Sequence, residues 1–474
     1  MIGIVVCSKS SGNGESRYYV ALEHSMKIVE VRSTLGFEPG ERIAAEGDGS
    51  FISTADIRPD PAGLEKLRKN AEELSGKAIY KESYRSGIGE IDAVTERMWK
   101  GLSECASLLV RKLACAAPII VRFHNDADGS SGAYGLYKSL ESLSARISAL
   151  DYEYNITWIM HPSVSYGSYE AGSDLMIANS YSSIEKPLLL VIDFGTSLES
   201  NPGIAAVRDK FDVIWLDHHP IVEGFGGLGL EHYISPWLHG GDSNYTAGFL
   251  ACAFAKTFSQ TDTREMENAS LIGDYSDFGN ADEPGAELSM LLDLVTSDTR
   301  IALGQPGANL TPYEIDRIIG DAARREELTR YASLRLSEVT ALALTLLKQH
   351  NGDGVRIYTL DFEGIRDEQS KYPLPGRFSS KLLGKIVELE SRPSILIVYS
   401  GRYISMRASK DLKDRIDLVR LIDVIKGRHG AVIEAGGGHR VAAGIKLSDK
   451  ADRSRIVREI VEGIKEQLSQ GLRA

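Results

Sequence analysis

The sequence predicts an α/β protein: a parallel-sheet domain, a smaller α/β C-terminal domain, a helical connector between them and a small N-terminal β domain. Three observations predict it. From Ala116 onward, the apolar runs APIIVRF, NITWIM, PLLLVI and FDVIWL are each followed by a helix-like segment, which is the pattern of a parallel sheet with crossover helices. Near Val355 the pattern restarts with VRIYTLDF and SILIVYSGRYISMRAS and closes with a helix around 451–468. Ahead of both, residues 1–59 hold RYYVALEHS, MKIVEVRST and ERIAAEGDGSFIST, short β-rich runs punctuated by Gly, Ser and Pro.

A chain of 474 residues with 43% hydrophobic side chains can build two or three separate cores. After the β domain, DPAGLEKLRKNAEEL opens a helix with Asp60 as cap and Pro61 at the first helical position. A second helix, about Gly89 to Leu113, keeps Ile91, Val94, Met98, Leu102, Ala106 and Leu109 on one face. The expected divisions are 1–59, a helical segment over 60–115, the parallel-sheet domain over 116–286, the connector over 287–350 and the last domain over 351–474.

The N-terminal MIGIVVCSKS has no basic residue ahead of its apolar run and reads as a strand, not a signal peptide. The uncharged run from Thr246 to Ala255 is far short of the roughly 20 residues of a membrane helix. Four cysteines without CxxC spacing suggest neither a disulfide framework nor a thiolate zinc site, so a cytoplasmic protein without a membrane partner is expected. The net charge of −12 excludes coating nucleic acid by bulk electrostatics, although Gly376 to Lys410 holds seven Lys or Arg against two Glu.

Ligand sites in parallel sheets lie beyond the carboxyl ends of the strands. There, APIIVRF runs into HNDADGSSG, placing His124, Asp126 and Asp128 at alternating positions where the strand gives way to a glycine-rich turn and a helix. PLLLVI ends on Asp193, and VIWL on Asp217, His218 and His219. Oxygen and imidazole donors without thiolate suit divalent ions such as Mn²⁺ and Mg²⁺. An EF-hand loop starting at His124 is excluded, because Gly135 falls where the bidentate Glu belongs. In isolation His218 and His219 read as structural histidines; beside two further acid-tipped strands they read as ligands. A fourth segment, ASLIGDYSDFG, ends an apolar helix on Asp274 and then Asp277.

HNDADG, VIDFG, LDHHP and IGDYSD, in that order, resemble the four motifs of the DHH phosphoesterase superfamily, and GGGHRVAAG resembles the signature of the DHH-associated domain. The HxDxDG form is most similar to archaeal RecJ-like exonucleases, and also to nanoRNases and cyclic-dinucleotide phosphodiesterases. The resemblance implies two divalent cations, Mn²⁺ or Mg²⁺. His124, Asp126 and Asp193 would hold one, Asp128, Asp193, His218 and Asp274 the other, with Asp193 bridging. Asp217 and His219 would support this shell or meet the phosphate. Arg407, with Ser409, and the segment Gly436, Gly437, Gly438 and His439 would bind a substrate phosphate. Bacterial RecJ exonucleases begin the first motif with Asp in place of His124 and carry a nucleic-acid-binding barrel after the associated domain, which is not expected here.

The expected activity is a metal-dependent, single-strand-specific exonuclease on DNA or RNA that releases nucleoside 5′-monophosphates and serves DNA repair or replication. A phosphodiesterase for short oligonucleotides or cyclic dinucleotides and a replication or repair scaffold are the alternatives. The partners to expect are single-stranded DNA or RNA, with replication or repair proteins and further copies of the chain as candidates. Residues 1–59 are expected either to be structural or to extend the path of a long strand by stacking bases on Tyr18, Tyr19 and Phe51. In the second case a chain starting at Asp60 would still cleave a dinucleotide.

Overall fold

The computed structural model describes residues 2–10, 15–23, 25, 27–46, 51–147, 155–163, 165–305, 307–365 and 371–470, without the side chains of 45, 46, 51–57, 377, 435, 439 and 470. It divides into two compact units, Met1–Leu292 with Asn309–Arg317, and Asp293–Ala308 with Ile318–Ala474.

The first unit opens with an antiparallel sheet of β1 (Ile2–Ser10), β2 (Ser16–Leu22), β3 (Ile28–Ser33), β4 (Glu41–Glu46) and β5 (Phe51–Pro59), in the order β3-β2-β1-β4-β5. Strand alternation sends Tyr18 and Tyr19 to opposite faces, and each is claimed by a core. Tyr18 packs with Val5, Val20 and Phe37, its ring edge-on to Phe37 and its hydroxyl donating to the Leu35 carbonyl at 2.8 Å. Tyr19 packs with Val6, Cys7 and Leu67. At 4% and 2% exposure neither ring is open to a base, which corrects the stacking expectation for both. The side chain of Phe51 lies outside the described residues.

Asp60 accepts from the Gly63 N–H at 2.9 Å and starts α1 (Pro61–Ala78); α2 (Gly89–Ala114) follows, with its apolar stripe buried. The chain then forms β6 (Ile119–His124), α3 (Ala127–Arg146), β7 (Ile156–His161), α4 (Ser168–Asn179), β8 (Tyr181–Ser183), β9 (Leu188–Ile192), α5 (Asn201–Val207), β10 (Asp212–Leu216) and β11 (His232–Ile234). Next come α6 (Ala247–Lys256) and α7 (Arg264–Gly273). Strand β8 leaves this run to pair antiparallel with Cys7–Lys9 of β1. The other five strands make a parallel sheet ordered β11-β10-β9-β6-β7.

Both faces of this sheet are covered, which is why its strands read as nearly continuous apolar runs. Ile119, Val121, Phe123, Leu188, Leu190, Ile192, Ile214 and Leu216 face one core; Ile120, Leu189, Val191, Val213 and Trp215 face the other. The register is level: Phe123 pairs with Ile192, and Ile192 with Leu216. His124, Asp193 and Asp217 therefore leave the sheet side by side. Because β7 lies on one flank of β6 and β9 on the other, the direction of winding reverses between β6 and β9. That is where a doubly wound sheet opens a crevice.

Helices α8 (Ala286–Ser297), α9 (Thr299–Leu303), α10 (Pro312–Gly320) and α11 (Ala322–Leu346) precede the second unit's sheet. That sheet contains β12 (Lys348–Gly352), β13 (Val355–Asp361), β14 (Ser394–Ser400), β15 (Tyr403–Ala408), β16 (Ile433–His439) and β17 (Ala442–Leu447), ordered β12-β13-β14-β15-β17-β16. Helix α11 and α12 (Pro375–Glu390) pack on one face through Val339, Phe378 and Leu382. On the other lie α13 (Leu418–His429) and α14 (Arg453–Gln470), through Leu421, Ile460 and Ile464. No described helix is long and apolar enough to cross a membrane.

Candidate metal centre

Each acid at the carboxyl edge of the parallel sheet is fixed by the backbone that delivers it. Asp126 caps α3: one oxygen accepts from the Gly129 N–H at 3.0 Å, while the other lies 2.9 Å from His124 Nδ1. The helix thus begins immediately after Asp126, and Asp128 sits in its first turn, not in a glycine-rich turn before it. The buried Asp128 carboxylate accepts from Ala247 N (3.0 Å) and Gly248 N (2.8 Å) at the start of α6, and from Ser270 Oγ (2.5 Å). Helix N-terminal amides favour its charged form. Asp274 caps the C-terminus of α7.

Asp193 lies between two groups of donors. Its Oδ2 is 3.4 Å from His124 Nδ1, and its Oδ1 is 3.6 Å from His218 Nε2. His218 Nε2 is also 3.6 Å from Asp128 Oδ2 and from Asp274 Oδ2. The Nδ1 of His218 meets the Ser243 carbonyl at 2.9 Å, and since a carbonyl only accepts, this nitrogen carries the proton. Nε2 is therefore the nitrogen that faces the three carboxylates, carrying a proton in the cation-free cluster and offering its lone pair when the ring is neutral. Separations of 3.4 to 3.6 Å are too long for strong hydrogen bonds. They approach what an ion leaves between neighbouring ligands held at about 2.1 Å, roughly 3.0 to 3.5 Å. His124 Nδ1 is a buried nitrogen without a well-formed hydrogen bond. All these features fit divalent cations.

The second histidine of the pair is oriented differently. His219 Nδ1 lies 2.9 Å from Asp217 Oδ1, and the His219 N–H donates to Asp217 Oδ2 at 3.2 Å. Asp217 is fully buried and serves His219; His219 Nδ1 stands 3.9 Å from Asp193 Oδ1.

The electrostatics record the crowding of acids. Burial pushes the Asp128 carboxyl well above the ordinary carboxylate range, and neighbouring Asp193 adds to the shift. Burial and Asp126 raise Asp193. Burial disfavours charged His218, yet Asp274, Asp128 and Asp193 outweigh it and push its pKa up to about 10. His124, beside Asp126 and Asp193, and His219, beside Asp217, are raised against the same opposition from burial. A cluster that holds protons this firmly without a cation is one a cation would relieve.

The remaining predicted residues lie in the second unit. Arg407 on β15 pairs with Ala442 on β17, which pairs with His439 on edge strand β16, so the three stand in one row. Arg407 Nε donates to Ser380 Oγ at 2.8 Å. Ser409 Oγ accepts from the Ser394 N–H at 3.0 Å, which ties it to β14. GGGHRVAAG forms a hairpin. Gly438, at φ +133°, has the Ala442 carbonyl 2.4 Å from any added Cβ, whereas a Cβ on Gly437 would meet only open space. The side chain of His439 lies outside the described residues.

Sequence reasoning missed Ser243, Ser270 and Trp237. Ser243 and Ser270 hold His218 and Asp128, and Trp237 donates to the His218 carbonyl at 2.9 Å. Only their proximity to LDHHP and IGDYSD in the chain could have signalled them.

No protein-family model matches the chain. It is 24% identical over 423 residues to an uncharacterized protein of Methanocaldococcus jannaschii, covering 78% of this chain and 54% of that one. The chain thus spans about half the length of the curated relative it matches. Among solved structures, it superposes on the DHH domain of a member of a family of ribosomal proteins with a TM-score of 0.70 at 20% identity, over 85% of this chain and 98% of that one. A RecJ structure with Mn²⁺ from Thermus thermophilus matches more loosely, with a TM-score of 0.48 at 16% identity, over 80% of this chain and 60% of that one. At the level of fold the expectation is borne out: this is an α/β protein that shares the fold of the DHH domain on which it superposes.

Proposed function

We propose that this chain is a metal-dependent phosphodiesterase acting as a single-strand-specific exonuclease on DNA or RNA, releasing nucleoside 5′-monophosphates. The observation that supports it most is Asp193, whose two oxygens face separate donor groups: His124 on one side and His218 on the other, with Asp126, Asp128 and Asp274 completing the two sets. Two divalent cations held there, Mn²⁺ or Mg²⁺, would supply Lewis acidity at the phosphoryl oxygens and an acidified water. The chain's own part is to hold the donors at fixed spacing and to hold a proton on His219, whose ring Asp217 orients. Arg407 and the Gly436–His439 hairpin are assigned to a substrate phosphate, where Gly437 leaves its backbone approachable.

The test is a time course with end-labelled DNA and RNA strands of about 2 to 30 nucleotides, with Mn²⁺ and with chelator. Hydrolysis should stop in chelator and return with Mn²⁺. Asp126→Ala or His218→Ala should cost at least about a thousandfold in rate while the protein stays folded, because each removes a ligand and leaves the core intact. Undiminished hydrolysis in chelator sinks the reading. Cleavage confined to the shortest strands selects the short-oligonucleotide alternative, and metal binding without cleavage selects the scaffold.

A further inference from the structure

Four tryptophans occur in the chain, and Trp237 stands apart from them. Trp215 is fully buried and Trp99 nearly so, whereas Trp237 is 40% exposed. It sits on the single turn Pro236–His239 that follows β11, at the same carboxyl edge of the sheet as the candidate metal centre. Its indole N–H donates to the carbonyl of His218, and the Ser243 hydroxyl donates to the same carbonyl at 2.8 Å. The ring is thereby tethered to the backbone of a residue whose imidazole faces Asp128, Asp193 and Asp274.

The turn itself is pinned. Gly240 closes it at φ +71°, the Gly241 N–H donates to the Pro236 carbonyl at 2.9 Å, and Arg97 Nε donates to the His239 carbonyl at 2.5 Å. A Cβ on Gly241 would stand 3.0 Å from Pro236 and 3.1 Å from Val94, so the segment lies close against α2. An aromatic ring held this firmly, satisfied at its polar atom and open over much of its surface, contributes little to the core and is pre-organised for a flat apolar partner.

From this geometry we propose that Trp237 is the stacking platform for the nucleobase attached to the reacting phosphate, an inference that rests on the phosphodiesterase reading above. The metal centre takes the phosphate and the indole takes the base, so the substrate is a nucleotide and not a simple phosphodiester. Every base has a π-face, so the platform selects nucleotides without selecting sequence.

The experiment compares Trp237→Ala and Trp237→Phe on strands with intact ends and on strands whose terminal residue is abasic, with each end tested separately. Relative to Trp237→Phe, which loses the same indole N–H, Trp237→Ala should lower kcat/KM on intact strands by about 5- to 150-fold and match it on abasic-ended strands. Trp237→Phe should keep most of the activity. Equal loss on both kinds of strand overturns the platform, because it would mean that the indole only braces His218. Wild-type protein that cleaves neither strand with Mn²⁺ would remove the phosphodiesterase reading instead. In that event, tryptophan fluorescence decides the platform: thymidine monophosphate should quench wild-type emission, and an identical quench in Trp237→Phe overturns it.

Discussion

Asp193 stands at φ +64°, in the left-handed region that side chains other than glycine enter at a cost and that Asp and Asn tolerate best. The strand ends at Ile192 with its N–H and C=O groups in the ladder, and the chain must turn at once for both carboxylate oxygens to meet His124 and His218. Asp193→Gly and Asp193→Ala remove the same carboxylate, so in metal-free protein their difference isolates the backbone. The glycine variant should be the more stable by about 1 kcal/mol in thermal unfolding, although both lose cation binding. Equal stability would show that the position carries no strain. The titrating groups beside Asp193 make a second prediction at this scale. His218 titrates at about 10 in the fold, against roughly 6.5 in an unfolded chain. Its stabilisation is therefore complete below about pH 6.5 and is lost as pH rises toward 10. His124, His219, Asp128 and Asp193 are all shifted upward and act in the same direction. In chelator the melting temperature should fall as pH is raised from 6.5 to 10, and saturating Mn²⁺ should offset the fall, because cations replace protons in the cluster. A chelated protein that gains stability over this range would contradict the assignment of these shifts.

At the scale of elements, the candidate site was legible wherever a periodic signal ended abruptly on a polar residue. Ile120, Leu189 and Val213 to one face and Val121, Leu190 and Ile214 to the other produce unbroken apolar runs, so His124, Asp193 and Asp217 are conspicuous as their terminators. What holds these tips was not legible. Asp128 depends on the first two amides of α6 and on Ser270, more than a hundred residues away, and no local pattern announces such a pairing. The approach of α3 to α6 depends on glycine in the same way. A Cβ at Gly132 would come within 2.8 Å of Gly248 Cα, and one at Gly248 within 2.3 Å of the Asp128 carbonyl. In the fold both glycines are helical and set the distance between two helices that meet at the same carboxylate. Tyr18 and Tyr19 failed in the opposite sense. Adjacent aromatics suggest an open stacking face, but a strand buried on both sides consumes both rings.

At the scale of the whole molecule, the N-terminal sheet is built into the first unit. Strand β1 pairs with β2 and β4, and past an irregularity between Val5 and Cys7 it also takes β8, which belongs to the chain between α4 and β9. The cluster beneath it joins Val6, Cys7, Tyr19, Ala21 and Ile28 to Leu67 of α1 and to Ala116, with Tyr181 and Ile184 packed alongside. A chain starting at Asp60 would leave β8 without its partner strand and bare the apolar atoms of Leu67, Ala116, Tyr181 and Ile184. That exposure costs roughly 4 kcal/mol and lowers the melting temperature by on the order of 10 °C. The structure thus argues against the expectation that the β domain can be removed while dinucleotide cleavage persists. The truncated chain should lose activity in equal proportion on a dinucleotide and on a strand of about 20 nucleotides, because what fails is the scaffold and not one segment of a binding path. Thermal unfolding and rates on both substrates check this together. An unchanged melting temperature with full dinucleotide hydrolysis would show that the sheet is an appendage, and selective loss on the longer strand would return it to a role in binding.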